Sequence, residues 1–167
     1  MKIIGIAGYK NSGKTTLVTD LIRELKLRDM RIATVKHAHH EFDIDHEGKD
    51  SYLHRAAGAS QVIVASARRW AQITELTDDQ EPELSEHLER LDQPDLVLIE
   101  GYKHGNHPKL EVRRAGLDQP PLAGAETKVV VIVSDTDLPN ESLPVLKRDD
   151  VAAIADFVIA NAVMPGD

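Results

Sequence analysis

The sequence predicts a three-layer α/β fold, with a mostly parallel sheet and one β-hairpin insertion. Three observations predict it. Short apolar runs rich in β-branched residues alternate with amphipathic helical patterns, the order of a parallel sheet flanked by helices. The first run leads directly into Gly8-Tyr9-Lys10-Asn11-Ser12-Gly13-Lys14-Thr15, the complete G-x-x-x-x-G-K-[ST] phosphate loop. Residues 60–75 break the alternation: two apolar stretches flank a short polar turn, as in an antiparallel hairpin. The 167 residues suit a single domain, 1–167, with no boundary, internal repeat or low-complexity segment.

The elements follow in order. Residues 3–7 read as a buried parallel strand. In 14–28, Leu17, Val18, Leu21, Ile22 and Leu25 recur at helical spacing. Further strands are expected at 31–35, 60–66, 70–75, 95–99, 109–113 and 128–134, and further helices at 50–58, 83–91 and 149–162. Segments 76–82 and 114–127 carry the Pro, Gly and acidic residues of surface loops. Strand, phosphate loop and helix thus stand in the order of a P-loop NTPase fold, with the helix dipole aimed at the phosphates. The chain is read as binding a nucleoside triphosphate with Mg²⁺. Backbone from Asn11, Ser12, Gly13, Lys14, Thr15 and Thr16 would cradle oxygens, Lys14 would neutralise the terminal phosphates, and Thr15 would bind the metal.

Composition narrows the options. Acidic residues outnumber basic ones 28 to 20, a net charge of −8, which argues against nucleic acid or an acidic membrane as a partner through global charge. Without cysteine there are no disulfides, iron–sulfur clusters or thiolate metal sites. No signal-peptide pattern or membrane-length apolar stretch occurs, so a cytoplasmic location is the expectation.

A phosphate loop needs a second acid to help hold Mg²⁺ or to position water. Asp95 and Glu100 bracket one predicted strand, roughly 16 Å apart at ~3.3 Å per residue. Ligands in parallel sheets sit at the carboxyl ends of strands, so Glu100 is expected beside the phosphates and Asp95 at the far edge. The charged run 36–50 starts where another strand ends and therefore rims the same edge. Asp43, Asp45, Glu47 and Gly48 imitate an EF-hand start, but His54 stands where the twelfth-position Glu belongs. His37, His39 and His40 suit zinc or nickel chemically, yet lack regular helical spacing and supporting thiolates. An anion site fits better: Asp50 or Ser51 would cap the next helix, and Lys36, His37, Lys49 and Arg55 would supply charge. Ser134-Asp135 ends another strand, where the Asp135 carboxylate could accept N–H groups from guanine. The Asn-Lys-x-Asp tetrapeptide of ordinary GTPases is missing, so this preference is only suggested.

Taken together, Lys36-His37-Ala38-His39-His40, Asp43-x-Asp45-x-x-Gly48-Lys49-Asp50-Ser51, Arg55 with Ala57-Gly58-Ala59, Arg69-Trp70 and Glu100-Gly101-Tyr102-Lys103 resemble the molybdopterin-guanine dinucleotide biosynthesis adaptor family (MobB). The likeness covers nearly the whole chain, with Ala38 where the family often has a polar or acidic residue. The resemblance implies a homodimeric, GTP-binding protein with weak GTPase activity. It would assist the molybdopterin guanylyltransferase that joins GMP to molybdopterin, and the 36–55 segment would lie where it can meet molybdopterin's phosphate. No evident arginine finger is present, which fits slow turnover. A metal-delivery GTPase and a small-molecule kinase are the alternatives, the first weakened by the missing cysteines and the second by the lack of an Arg-rich lid.

Overall fold

The computed structural model describes residues 1–38, 42–77, 81–117, 120–122 and 128–166. In chain order its elements are β1 (Lys2–Ala7), α1 (Lys14–Leu27), β2 (Ile32–Lys36), α2 (Asp50–Ala56), β3 (Gln61–Ala65), β4 (Trp70–Thr74), α3 (Leu84–Glu89), β5 (Leu96–Glu100), β6 (Lys109–Arg113), β7 (Val129–Ser134), β8 (Val145–Lys147) and α4 (Val151–Asn161). They gather into two compact units, Met1–His37 with Ser85–Asp167, and Ala38–Leu84.

The larger unit is a six-stranded sheet in the order β2-β5-β1-β6-β7-β8, with every pairing parallel. Side chains alternate across it. Ile4, Ile6, Leu96, Leu98, Leu110, Val112, Val131 and Val133 join Leu17, Leu21 and Leu25 of α1 and Ile154, Ala155 and Val158 of α4 in one core. Each fully buried Leu or Ile there contributes about 1.5–3 kcal/mol relative to exposure. The alternate residues Ile3, Val97, Ile99 and Ile132 are buried as well, which is why these strands read as continuous apolar runs. Two charged side chains, Lys109 and Glu111, share that second buried face. After α4, Val163 exchanges backbone hydrogen bonds with Ile3.

The expected mostly parallel sheet with flanking helices and a hairpin is the fold found. Some bounds move. The strands anticipated at 31–35 and 95–99 begin one residue later, because Asp95 Oδ2 accepts the Arg31 N–H at 2.7 Å and ties the two strand starts together. Helix 149–162 opens at Val151 because Asp150 is its N-cap, accepting the Ala153 N–H at 3.0 Å. Strand β8 was not anticipated; three residues are too few to show a period.

In the smaller unit β3 and β4 form the expected antiparallel hairpin, with Gln61 opposite Thr74 and Ala65 opposite Trp70. Helix α2 packs on β3. The expected cap on α2 is corrected: the N-cap is Lys49, and no side chain caps the helix. Ser51 instead donates to Asp45 Oδ1 at 2.9 Å. Arg55 gathers this segment, pairing with Asp43 at 2.8 Å, Glu75 at 3.0 Å and Asp45 at 3.5 Å.

Candidate functional site

The phosphate loop follows β1 and feeds α1 through left-handed backbone, with φ 66° at Asn11 and 94° at Gly13. Glycine at position 8 is obligatory for packing. A Cβ there would lie 2.6 Å from Ser12 Oγ and 2.7 Å from the Val112 carbonyl. Gly13 caps α1 without a side chain, and no acidic residue occupies the first turn, so the helix N–H groups suit an anion. Ser12 is buried, and its Oγ has no hydrogen-bond partner among the described residues, the orphaned donor a phosphate oxygen would satisfy.

Lys14 Nζ donates to the Tyr9 carbonyl at 2.7 Å. Burial pushes its ammonium below the usual lysine range; Glu100 pulls it back up, while Lys103 and Lys36 push it further down. Thr15 Oγ1 donates to Glu100 Oε1 at 3.2 Å, across 85 residues of sequence. Hydroxyl and carboxylate thus stand together, the oxygen pair that suits Mg²⁺, a hard cation. Glu100 ends β5, and the register sets Lys36 of β2 directly opposite it. The His37 N–H donates to the Glu100 carbonyl at 2.9 Å, and its ring lies 4.7 Å from that of Tyr102. Thr16 is exposed in the first turn of α1.

Asp135 follows β7, two strands from β1 on the side away from Glu100. It lines a cavity of about 770 Å³ with Ser134, Asp137, Pro139, Lys147 and Arg148. Its Oδ1 accepts the Ala115 N–H at 2.8 Å. The structure therefore brings Asn11, Ser12, Gly13, Lys14, Thr15, Thr16, Lys36, His37 and Glu100 to one edge of the sheet, with Asp135 farther along it. Lys49 and Arg55 belong to the smaller unit; Lys49 is exposed, and the Arg55 charge is met there by three carboxylates. Among the described residues no three His, Asp or Glu side chains converge on a metal ion; His39 and His40 lie outside them.

A family profile described as molybdopterin guanine dinucleotide synthesis protein B (MobB) matches residues 3–135. The chain belongs to this family. A MobB relative from Escherichia coli K12, a molybdopterin-guanine dinucleotide biosynthesis adapter protein, is 40% identical over 160 residues, 94% of this chain and 91% of its own length. A protein of the same description from Haemophilus influenzae is 39% identical over 157 residues, covering 93% and 86%. The crystal structure of a molybdopterin-guanine biosynthesis protein B aligns with a TM-score of 0.72 at 25% identity, over 95% of this chain and 98% of that one. Bacillus subtilis MobB aligns over the full length of both chains, with a TM-score of 0.77 at 24% identity, a likeness of fold.

Sequence reasoning quoted Gly101 and Lys103 only within the family resemblance and gave neither a role, and it missed Lys109 and Glu111. Lys103 Nζ sits 5.2 Å from the centre of the Tyr9 ring. Gly101, at φ 97°, brings the chain within 2.8 Å of His37 Cβ at the position its own Cβ would take. On the second face of the sheet, fully buried Lys109 donates to the carbonyls of Gly105 and His107, at 2.5 and 2.9 Å. Burial, and then Lys128, lower its ammonium to about 8. Glu111 binds Arg113 at 3.0 Å. One signal could have found this group: Lys109, Glu111 and Arg113 put charge at every second position of an otherwise buried strand.

Proposed function

We propose that this chain binds Mg²⁺–GTP and assists the guanylyltransferase that attaches GMP to molybdopterin, acting as a homodimer in the cytoplasm. The observation that carries the nucleotide reading is the 3.2 Å contact of Thr15 with Glu100, which joins the phosphate loop to the carboxyl end of β5. Thr15 and Glu100 would hold the metal, which would neutralise charge on the phosphates. Lys14 supports the terminal phosphates, and the N–H groups from Asn11 to Thr16 accommodate the oxygens. Asp135, which lines the neighbouring cavity, would accept the guanine N1–H and N2–H. Hydrolysis would be slow, since positioning and charge neutralisation are supplied without an evident arginine finger.

The adapter part of the reading rests on family membership and on the relatives' being named adapter proteins. Among the described residues no helix is long and apolar enough to cross a membrane. A reconstituted assay tests both parts. Purified chain should bind Mg²⁺–GTP by calorimetry, and should raise the yield of guanine dinucleotide cofactor when added to guanylyltransferase, molybdopterin and GTP. Binding without a rise in yield would reject the adapter role, and no binding would reject the nucleotide site.

A further inference from the structure

The segment between β5 and β6 shares the phosphate edge but has no part in the phosphate-loop pattern. Tyr9 joins them. Its carbonyl accepts Lys14 Nζ at 2.7 Å, and its ring carries Lys103 Nζ at 5.2 Å, within cation–π range. Lys36 enters from β2, opposite Glu100. The charges that act on the Lys14 ammonium are the Glu100 carboxylate and the ammonium groups of Lys103 and Lys36, so three cations and one carboxylate gather at this edge, an excess of two positive charges in a chain whose net charge is −8. Like charges gathered this way are unfavourable unless an anion lies among them. A Mg²⁺-bound nucleoside triphosphate carries about two net negative charges and the diphosphate about one, so the triphosphate is the closer match.

Position on the sheet narrows the contact. The Asp135 cavity lies toward β7 and β8, whereas Lys36, Glu100 and Lys103 follow β2 and β5, on the other side of β1. Lys103 is three residues beyond Glu100, so it stands on the metal and terminal-phosphate side rather than on the base side. Its loop is anchored from inside the sheet. Lys109 Nζ reaches the carbonyls of Gly105 and His107 from a fully buried position on β6. Lys128 Nζ adds a bond to the Asn106 carbonyl at 3.2 Å. A buried ammonium that meets no carboxylate among the described residues costs stability, so its use here calls for another purpose.

We propose that residues 101–108 form a triphosphate-sensing loop, in which Lys103 contacts the terminal phosphate and Lys109 is the positioning residue that holds the loop in place. This rests on the nucleotide reading above. The loop then gives the site a preference for GTP over GDP that the phosphate loop alone does not supply.

Calorimetry of the full chain with Mg²⁺–GTP and Mg²⁺–GDP tests it. Lys103→Met should weaken GTP about tenfold, as expected for one charge-assisted contact, and GDP by less than about threefold. Lys103→Arg should recover much of the preference. Lys109→Met should lower the GTP-to-GDP affinity ratio in the same way, and adding Lys103→Met to it should cost little more. Should Lys109→Met fail to fold by thermal melting, the two Lys103 variants still decide the matter. Equal losses for both nucleotides, or none, would overturn the loop proposal while leaving the nucleotide site standing. Failure of the wild-type chain to bind either nucleotide would overturn both.

Discussion

Lowering the pH from 7.5 to 4.5 should destabilise the folded chain through His107. The imidazole is 3% exposed, packed so that a Cβ on Gly5 would lie 2.8 Å from its Nε2, which has no partner among the described residues. Burial first, then the nearby ammonium groups of Lys109 and Lys128, lower it to about 4, from an ordinary 6.5. The sign follows from proton counting. As pH falls below 6.5 the unfolded chain takes up a proton that the folded chain refuses until about 4, so stability is full above that window and lost through it. Each pKa unit corresponds to about 1.36 kcal/mol, so the loss reaches roughly 2.5 kcal/mol by pH 4.5. Urea denaturation at several pH values reads it directly. His107→Leu removes the titration and leaves the backbone carbonyl that Lys109 uses, while the carboxylates elsewhere titrate as before. The variant should therefore lose roughly 2 kcal/mol less than wild type between pH 7.5 and 4.5. Parallel losses in the two proteins would refute the assignment of a buried, neutral imidazole.

Three further outcomes are expected. Lys14→Ala should weaken Mg²⁺–GTP binding about tenfold to a hundredfold, the value of a charged hydrogen bond, with calorimetry as the check; unchanged affinity would remove the phosphate-loop assignment. Asp135→Asn keeps an oxygen for the Ala115 N–H but replaces the second acceptor with a donor, so competition between GTP and xanthosine triphosphate should shift toward the latter. An unaltered preference would exclude Asp135 from base recognition. Arg55→Met should free residues 42–50 by removing the cation that ties Asp43, Asp45 and Glu75 together, seen as faster proteolysis in that segment, and equal rates would reject the tie.

Much of the fold was legible because both faces of the parallel sheet are buried. Such strands must be apolar throughout, and β1, β5 and β7 stand out for that reason. Strand β8 escaped because three residues, two half-buried and one exposed, carry no period. The α2 cap was misplaced for a different reason: Ser51 has a choice of acceptors, and only the folded segment shows that Asp45 takes it.

The phosphate site divides in the same way. The strand, loop and helix from Lys2 to Leu27 follow from local sequence, since left-handed turns at Asn11 and Gly13, close packing at Gly8 and a dipole at Lys14 are short-range requirements. Strand direction alone also sent Glu100 to the phosphate edge, because a parallel sheet puts every strand's carboxyl end on the same side. Which distant groups meet there depends on the folded arrangement of the strands. The strand order sets β5 beside β1, so that Glu100 reaches Thr15, and the β5–β6 segment brings Lys103 to Tyr9. Likewise, Lys109 reads in sequence as an ordinary charged residue of a strand, and its burial beneath the loop it holds arises from contacts across β1 and β6. The Thr15–Glu100 contact, the Tyr9–Lys103 contact and the Gly5–Lys109 pairing that buries Lys109 all join residues far apart in the chain, and no local propensity encodes them.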